Sequence, residues 1–124
     1  MKQLLRSWLP PLVWMGLIFF FSSQPHLPSA PQPWLDVLLK KSGHALGYGV
    51  LAWLYLRALR GNIRPSYVVS LALAMLYALS DEYHQTLVPG RNGTPWDVGV
   101  DGIGACGAML LARWLRRRRE PGAR

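Results

Sequence analysis

With Cys106 as its only cysteine, this 124-residue chain cannot form an internal disulfide, which excludes a stapled secreted miniprotein. Acidic residues are also scarce: six Asp and Glu stand against 14 Lys and Arg, a formal charge of +8. Charge of either sign is missing altogether from Ser7 to Leu35, Ser42 to Leu56, Pro65 to Ser80 and Gly102 to Ala112. Apolar residues are plentiful, at 51%, and this excludes low-hydrophobicity disorder. The length accommodates one domain, residues 1–124. A strongly basic chain ordinarily suggests nucleic acid. Here much of the charge is Arg113, Arg116, Arg117, Arg118 and Arg119, directly behind an apolar run. A cluster in that position anchors a membrane span and meets anionic lipid, so no nucleic-acid partner is expected.

The uncharged stretches point to an all-α protein, a four-helix transmembrane bundle. The usable part of each is about 15 residues, roughly 22 Å of helix. A bilayer core needs about 20 residues. Extending each stretch to that length gives spans at about 7–23, 40–59, 66–85 and 95–114, with 115–124 as a basic tail. Orientation follows from the cations. With both termini cytoplasmic, Lys2, Arg6, Arg57, Arg60, Arg64 and the C-terminal arginines lie inside, leaving Lys40, Lys41 and Arg91 outside. The expected location is the cytoplasmic membrane, crossed several times. Lys2, Arg6 and the run Leu12–Phe21 resemble a signal peptide, but Pro28-Ser29-Ala30 is a poor cleavage site, and the segment reads as an uncleaved anchor. Pro10 and Pro11 fall near the start of that span, where lost N–H donors cost least.

The connections are short. Gln24–Gln32 is proline-rich and extended, and holds a solvated His26. Gly61-Asn62 is a turn, with Pro65 able to start the third helix. Pro89-Gly90 and Asn92-Gly93 bracket Arg91 with two turn signals. Trp34, Trp96 and Trp114 suit the membrane interface.

Extending the spans draws ionisable residues into the outer leaflet on three helices: Lys41, His44 and Tyr48 on the second, Asp81, Glu82, His84 and Gln85 on the third, Asp97 and Asp101 on the fourth. A charge at the bilayer centre costs about 2.5–3.5 kcal/mol even on lenient scales, so a functional site is the default reading. Spacing identifies the shared faces. Lys40, His44 and Tyr48 stand at i, i+4 and i+8, and Asp97, Asp101 and Gly104 share a stripe. Gly43 with Gly47, and Gly104 with Ala108, are small-residue pairs that allow close helix approach. Thr94-Pro95-Trp96-Asp97 also fits a capping-box-like helix start, so Asp97 divides between cap and site. Asp101 lies a turn deeper, beyond the reach of capping. Cys106 reads as a packing residue.

His44, His84, Asp81, Glu82 and Asp101 include ligand types for a divalent metal. No close His-His pair or thiolate accompanies them, and no cofactor is expected. Cations beside carboxylates suit another task. Lys41 and Arg91 would hold a phosphate or carboxylate, with Tyr48, Gln85 and Asp97 lining the site, while Glu82, Asp81, Asp101, His44 or His84 moves a proton.

The segments Lys41-Ser42-Gly43-His44 with Tyr48, Asp81-Glu82-Tyr83-His84-Gln85, Pro89-Gly90-Arg91, Asp97, Asp101 and Gly104 make the chain resemble the VanZ-like family over roughly residues 36–112. Where this chain has Asp101 the family pattern carries Asn, so the departure adds an acid. The resemblance implies a small multi-pass bacterial membrane protein whose namesake is associated with resistance to teicoplanin. Teicoplanin is a lipidated glycopeptide acting outside the cytoplasmic membrane. Three roles are consistent with these residues: binding a cell-envelope lipid, lipid-linked precursor or glycopeptide; hydrolysis or transfer on such a lipid; and structural cross-bracing without chemistry.

Overall fold

A computed structural model describes residues 1–24, 29–59, 66–90, 94–120 and 122. It contains four helices, α1 (Lys2–Ser22), α2 (Pro33–Leu59), α3 (Ser66–Leu87) and α4 (Pro95–Arg119), and no strand among the described residues. His26, the Gly61-Asn62 turn with Pro65, and Arg91 with Asn92-Gly93 lie outside them.

The helices run past the expected spans. α1 begins at Lys2, which places Pro10 and Pro11 in its interior rather than near its start, and each removes an N–H from the helical ladder. α2 begins at Pro33, seven residues before the expected span. Its first turn explains why. The Asp36 carboxylate accepts from the Ala30 N–H at 3.0 Å and from Lys40 Nζ at 2.9 Å. The same carboxylate sits at the positive end of the helix dipole. α3 ends at Leu87 and the chain turns at Gly90, whose φ of 82° favours a residue without Cβ. At the start of α4, Pro95 occupies the first turn, but Thr94 makes no side-chain cap. Its hydroxyl instead donates to Asp97 Oδ2 at 3.2 Å, so the expected capping box is replaced by a side-chain pair.

α2 is the central helix, packing against the other three, most extensively against α4. Its contacts with α4 advance together along both chains, from Lys41–Asp97 through His44–Asp101 to Gly49–Ala108, so the two helices are parallel. α1 is tied in by the Trp14 indole N–H donating to Gly47 O at 2.8 Å and by Tyr77 Oη donating to Met15 O at 2.7 Å. Alanines at 52, 74, 78, 105 and 112 fill the core with Tyr48, Leu51 and Leu56. Such small residues let helix backbones approach closely and meet through van der Waals contact.

The closest approach is at Gly104, where an added Cβ would lie 1.9 Å from Ala45 O. One at Gly49 would lie 3.1 Å from Gly104 O. Cβ atoms at Gly43 and Gly47 would meet nothing within 4 Å. The contact pair on α2 is therefore Ala45 and Gly49, not Gly43 and Gly47. Cys106 is exposed rather than packed.

Polarity is inverted relative to a water-soluble bundle. Asp81, Glu82, Gln85, Asp97 and Asp101 are buried, while Leu5, Phe20, Leu39, Leu46, Leu79, Ile103 and Leu110 are exposed. α1 and α4 are long and apolar enough to cross a membrane. α2 and α3, which carry much of the buried polar set, do not reach that mark among the described residues. Trp34, Trp96 and Trp114 are exposed, and Trp8, Trp14 and Trp53 pack against the core.

Gly104→Ala is expected to destabilise the bundle by about 3 kcal/mol, since backbone must move to admit the methyl group. Gly47→Ala should stay within about 0.5 kcal/mol. Unfolding of both variants by SDS titration in mixed micelles checks the contrast. A second expectation concerns acid. The Lys40 ammonium and the Ala30 N–H hold the Asp36 carboxyl below its ordinary value of 3.8. Its support of the α2 start is thus complete above that value and lost as pH falls through the lowered one. The Ala30 amide resonance should move in that acid range and stay still in Asp36→Asn.

Candidate functional site

The close parallel contact of α2 and α4 sets one row of side chains against another. Lys41, His44 and Tyr48 descend α2 at helical spacing, and Asp97 and Asp101 descend α4 one turn apart. Lys41 Nζ forms an ion pair with Asp97 Oδ1. His44 Nδ1 and Asp101 Oδ1 are 2.9 Å apart. Tyr48 Oη donates to Asp81 Oδ2 on α3 at 2.8 Å. Asp101 is only 1% exposed, and its Oδ2 has no hydrogen-bond partner among the described residues. A buried carboxylate with half its acceptors unused depends heavily on the one partner it has.

Two cavities flank this row. The larger, about 480 Å³, lies between α1 and α2 and reaches α3 at Asp81. Trp14, Leu17, Ile18 and Phe21 form its apolar wall, and Lys40 and His44 are polar groups on the other side. His44 thus bonds Asp101 through Nδ1 and lines a cavity. A carboxylate behind one ring nitrogen fixes the ring's orientation and leaves the other nitrogen for proton exchange. The smaller cavity, about 350 Å³, lies between α3 and α4 and is lined by Glu82, Thr86, Thr94 and Val98. Asp81 and Glu82 are neighbours, and one residue turns a helix by about 100°, so two adjacent acids serve different cavities.

The remaining sequence candidates are spread out. His84 does not join the row: its Nε2 is 3.0 Å from Ser23 Oγ and its ring stacks on Phe19 at 4.6 Å. Gln85 Nε2 donates to Ser22 Oγ at 3.3 Å and braces α1 against α3. Tyr48 is 2% exposed, with its hydroxyl committed to Asp81. Arg91 lies outside the described residues. Among those residues, no three His, Cys, Asp or Glu side chains converge as metal ligands would. The sequence points to Lys41 and Arg91 as the cations that would hold an anion. In the structure Lys41 is paired across to α4, and the cation lining the larger cavity is Lys40. The i, i+4 relation of Lys40 to His44 was the available signal. The contribution of Trp14 had no signal beyond its apolar character.

The chain was also compared with known proteins. The family model described as VanZ/LLP1 matches residues 7–116. No curated protein and no solved structure matches the chain.

His44→Ala is expected to cost about 3–5 kcal/mol by leaving the Asp101 carboxylate buried and unpaired. Asp101→Asn keeps the shape and one hydrogen bond, and should cost about 1 kcal/mol. The double variant His44→Ala/Asp101→Ala should lose less than the two single alanine variants combined. SDS unfolding of the purified variants measures all four.

Proposed function

Because the chain belongs to the VanZ/LLP1 family and is a membrane protein of that type, we propose that it spans the bacterial inner membrane four times with both termini cytoplasmic, and binds an anionic amphiphile in its α1–α2 cavity. Inverted polarity supports the four spans. Exposed apolar side chains occur on α2 (Leu38, Leu46, Val50) and α3 (Val68, Leu76, Leu79) as well as on α1 and α4. Water would not tolerate so much exposed apolar surface, whereas acyl chains match it. With this topology the start of α2 and the ends of α1 and α3 lie toward the outer face, and the cavity opens in the outer leaflet.

The observation that carries the reading is the make-up of that cavity. An aromatic and aliphatic wall from α1 suits an acyl chain, while Lys40 and His44 suit a phosphate or carboxylate headgroup. Among the described residues Lys40 is paired with Asp36 of its own helix, in a half-exposed pair that contributes little and can be exchanged for a ligand. The ligand class is a cell-envelope lipid, a lipid-linked precursor, or a lipoglycopeptide such as teicoplanin, which combines an acyl tail with ionised groups.

The His44–Asp101 pair favours a second reading, hydrolysis or transfer on the bound lipid. His44 would take a proton from water or an acceptor hydroxyl, held in place by Asp101. Glu82, on the other cavity, would play no part.

Trp14 reports on the cavity directly. Brominated phosphatidylglycerol should quench a Trp14 component, absent in Trp14→Phe, at a lipid fraction about threefold lower than brominated phosphatidylcholine. Lys40→Gln should remove the preference. Gly47→Leu, which grows into open space, should remove the quenching. Equal quenching by both lipids in the native protein and in Gly47→Leu refutes the binding reading. The catalytic reading fails if His44→Gln retains full phenotype in cells while the cavity still binds lipid.

A further inference from the structure

Glu82 takes no part in the α2–α4 row, and its side chain faces the second cavity. It is 7% exposed, and neither carboxylate oxygen has a hydrogen-bond partner among the described residues. The backbone N–H of Thr94 stands near without reaching bonding geometry. A buried carboxylate without a partner is among the costliest groups a protein can hold, more so at membrane depth. Asp81, Asp97 and Asp101 each have a partner. Glu82 alone among the buried acids is held for something the chain does not supply within the described residues.

The cavity around it specifies the chemistry. The hydroxyl of Thr86 already donates to Tyr83 O at 2.6 Å, and that of Thr94 donates to Asp97 Oδ2 at 3.2 Å. Their protons are committed, so each presents only lone pairs. Together with the two Glu82 oxygens they form a set of acceptors that repels anions and requires a donor. Tyr83 also lines the cavity and carries an O–H, but it is largely exposed and makes no hydrogen bond to Glu82. A volume of about 350 Å³ far exceeds a bare ion. Leu79, Pro95 and Val98 supply apolar contact for methylene groups beside the charge.

We propose that the α3–α4 cavity is a binding site for a primary ammonium group, the chemistry of an ethanolamine headgroup, with Glu82 as its counter-ion and Thr86 and Thr94 as acceptors. An ammonium carries three N–H donors and neutralises the carboxylate where it is buried. This site is separate from the α1–α2 cavity and does not rest on the anionic ligand assigned there. The two cavities together equip one small bundle to hold two amphiphiles of opposite headgroup charge.

Native mass spectrometry of the full chain released from micelles tests the site, with phosphatidylethanolamine, phosphatidylcholine and phosphatidylglycerol of identical acyl chains. Phosphatidylethanolamine should bind in preference to phosphatidylcholine, whose quaternary nitrogen has no N–H. Glu82→Gln should weaken its binding about tenfold and leave phosphatidylglycerol unchanged. Val98→Phe, which fills the cavity and keeps the carboxylate, should give the same loss. Displacement by millimolar free ethanolamine assigns the site to a small soluble amine, and its absence assigns it to the lipid; either supports the ammonium site. Unchanged phosphatidylethanolamine binding in both variants overturns it. So does a native protein that binds phosphatidylethanolamine no better than phosphatidylcholine.

Discussion

The contact of Gly104 with the Ala45 carbonyl is the constraint on which the rest of the bundle depends. Only a residue without a side chain allows α4 to lie this close to α2. Once the backbones are that near, short acids on α4 reach basic groups on α2 without spacers. Lys41 meets Asp97 and His44 meets Asp101 because those positions lie on the same helix faces, within two turns of the contact. Widening the interface by one methyl group would pull each pair apart and leave carboxylates buried without partners. Packing and electrostatics are thus one structural feature, since the pairs are stable only at the spacing the glycine permits.

The interior of the bundle holds alanines at the helix contacts, Tyr48, Leu51 and Leu56 among them, and a layer of acids beside this core. Its exterior carries many leucines and the phenylalanines of α1. The arrangement also separates two environments around α3. Asp81 faces a cavity with an aromatic wall and two basic groups, and Glu82 faces one in which its own oxygens have no hydrogen-bond partner among the described residues. Adjacent acids acquire different roles through the helical turn between them.

Much of this was legible in the chain. Uncharged stretches bounded by charged residues located all four helices, because interrupting charge in such a segment is costly. The i, i+4 spacing put Lys40, His44 and Tyr48 on one face and Asp97, Asp101 and Gly104 on another. Other features were not legible. His84 shares its helix with Asp81 and lies one turn away, yet it turns to Ser23 and Phe19 because α1 packs on that side. Cys106 follows the buried Ala105 but faces outward. Gly43 and Gly47 have the same spacing as Ala45 and Gly49, and spacing alone does not choose between the two stripes.

Local chemistry determined what the sequence could settle by itself: helix, polarity and the helix face on which each ionisable group lies depend on a residue and its neighbours within a few turns. The rotation of each helix about its own axis decided which cation meets which acid and which acid stays unpaired. That rotation is set by contacts between residues some sixty positions apart, such as Ala45 with Gly104. No periodicity within one helix encodes it, because every face of a helix repeats with the same period.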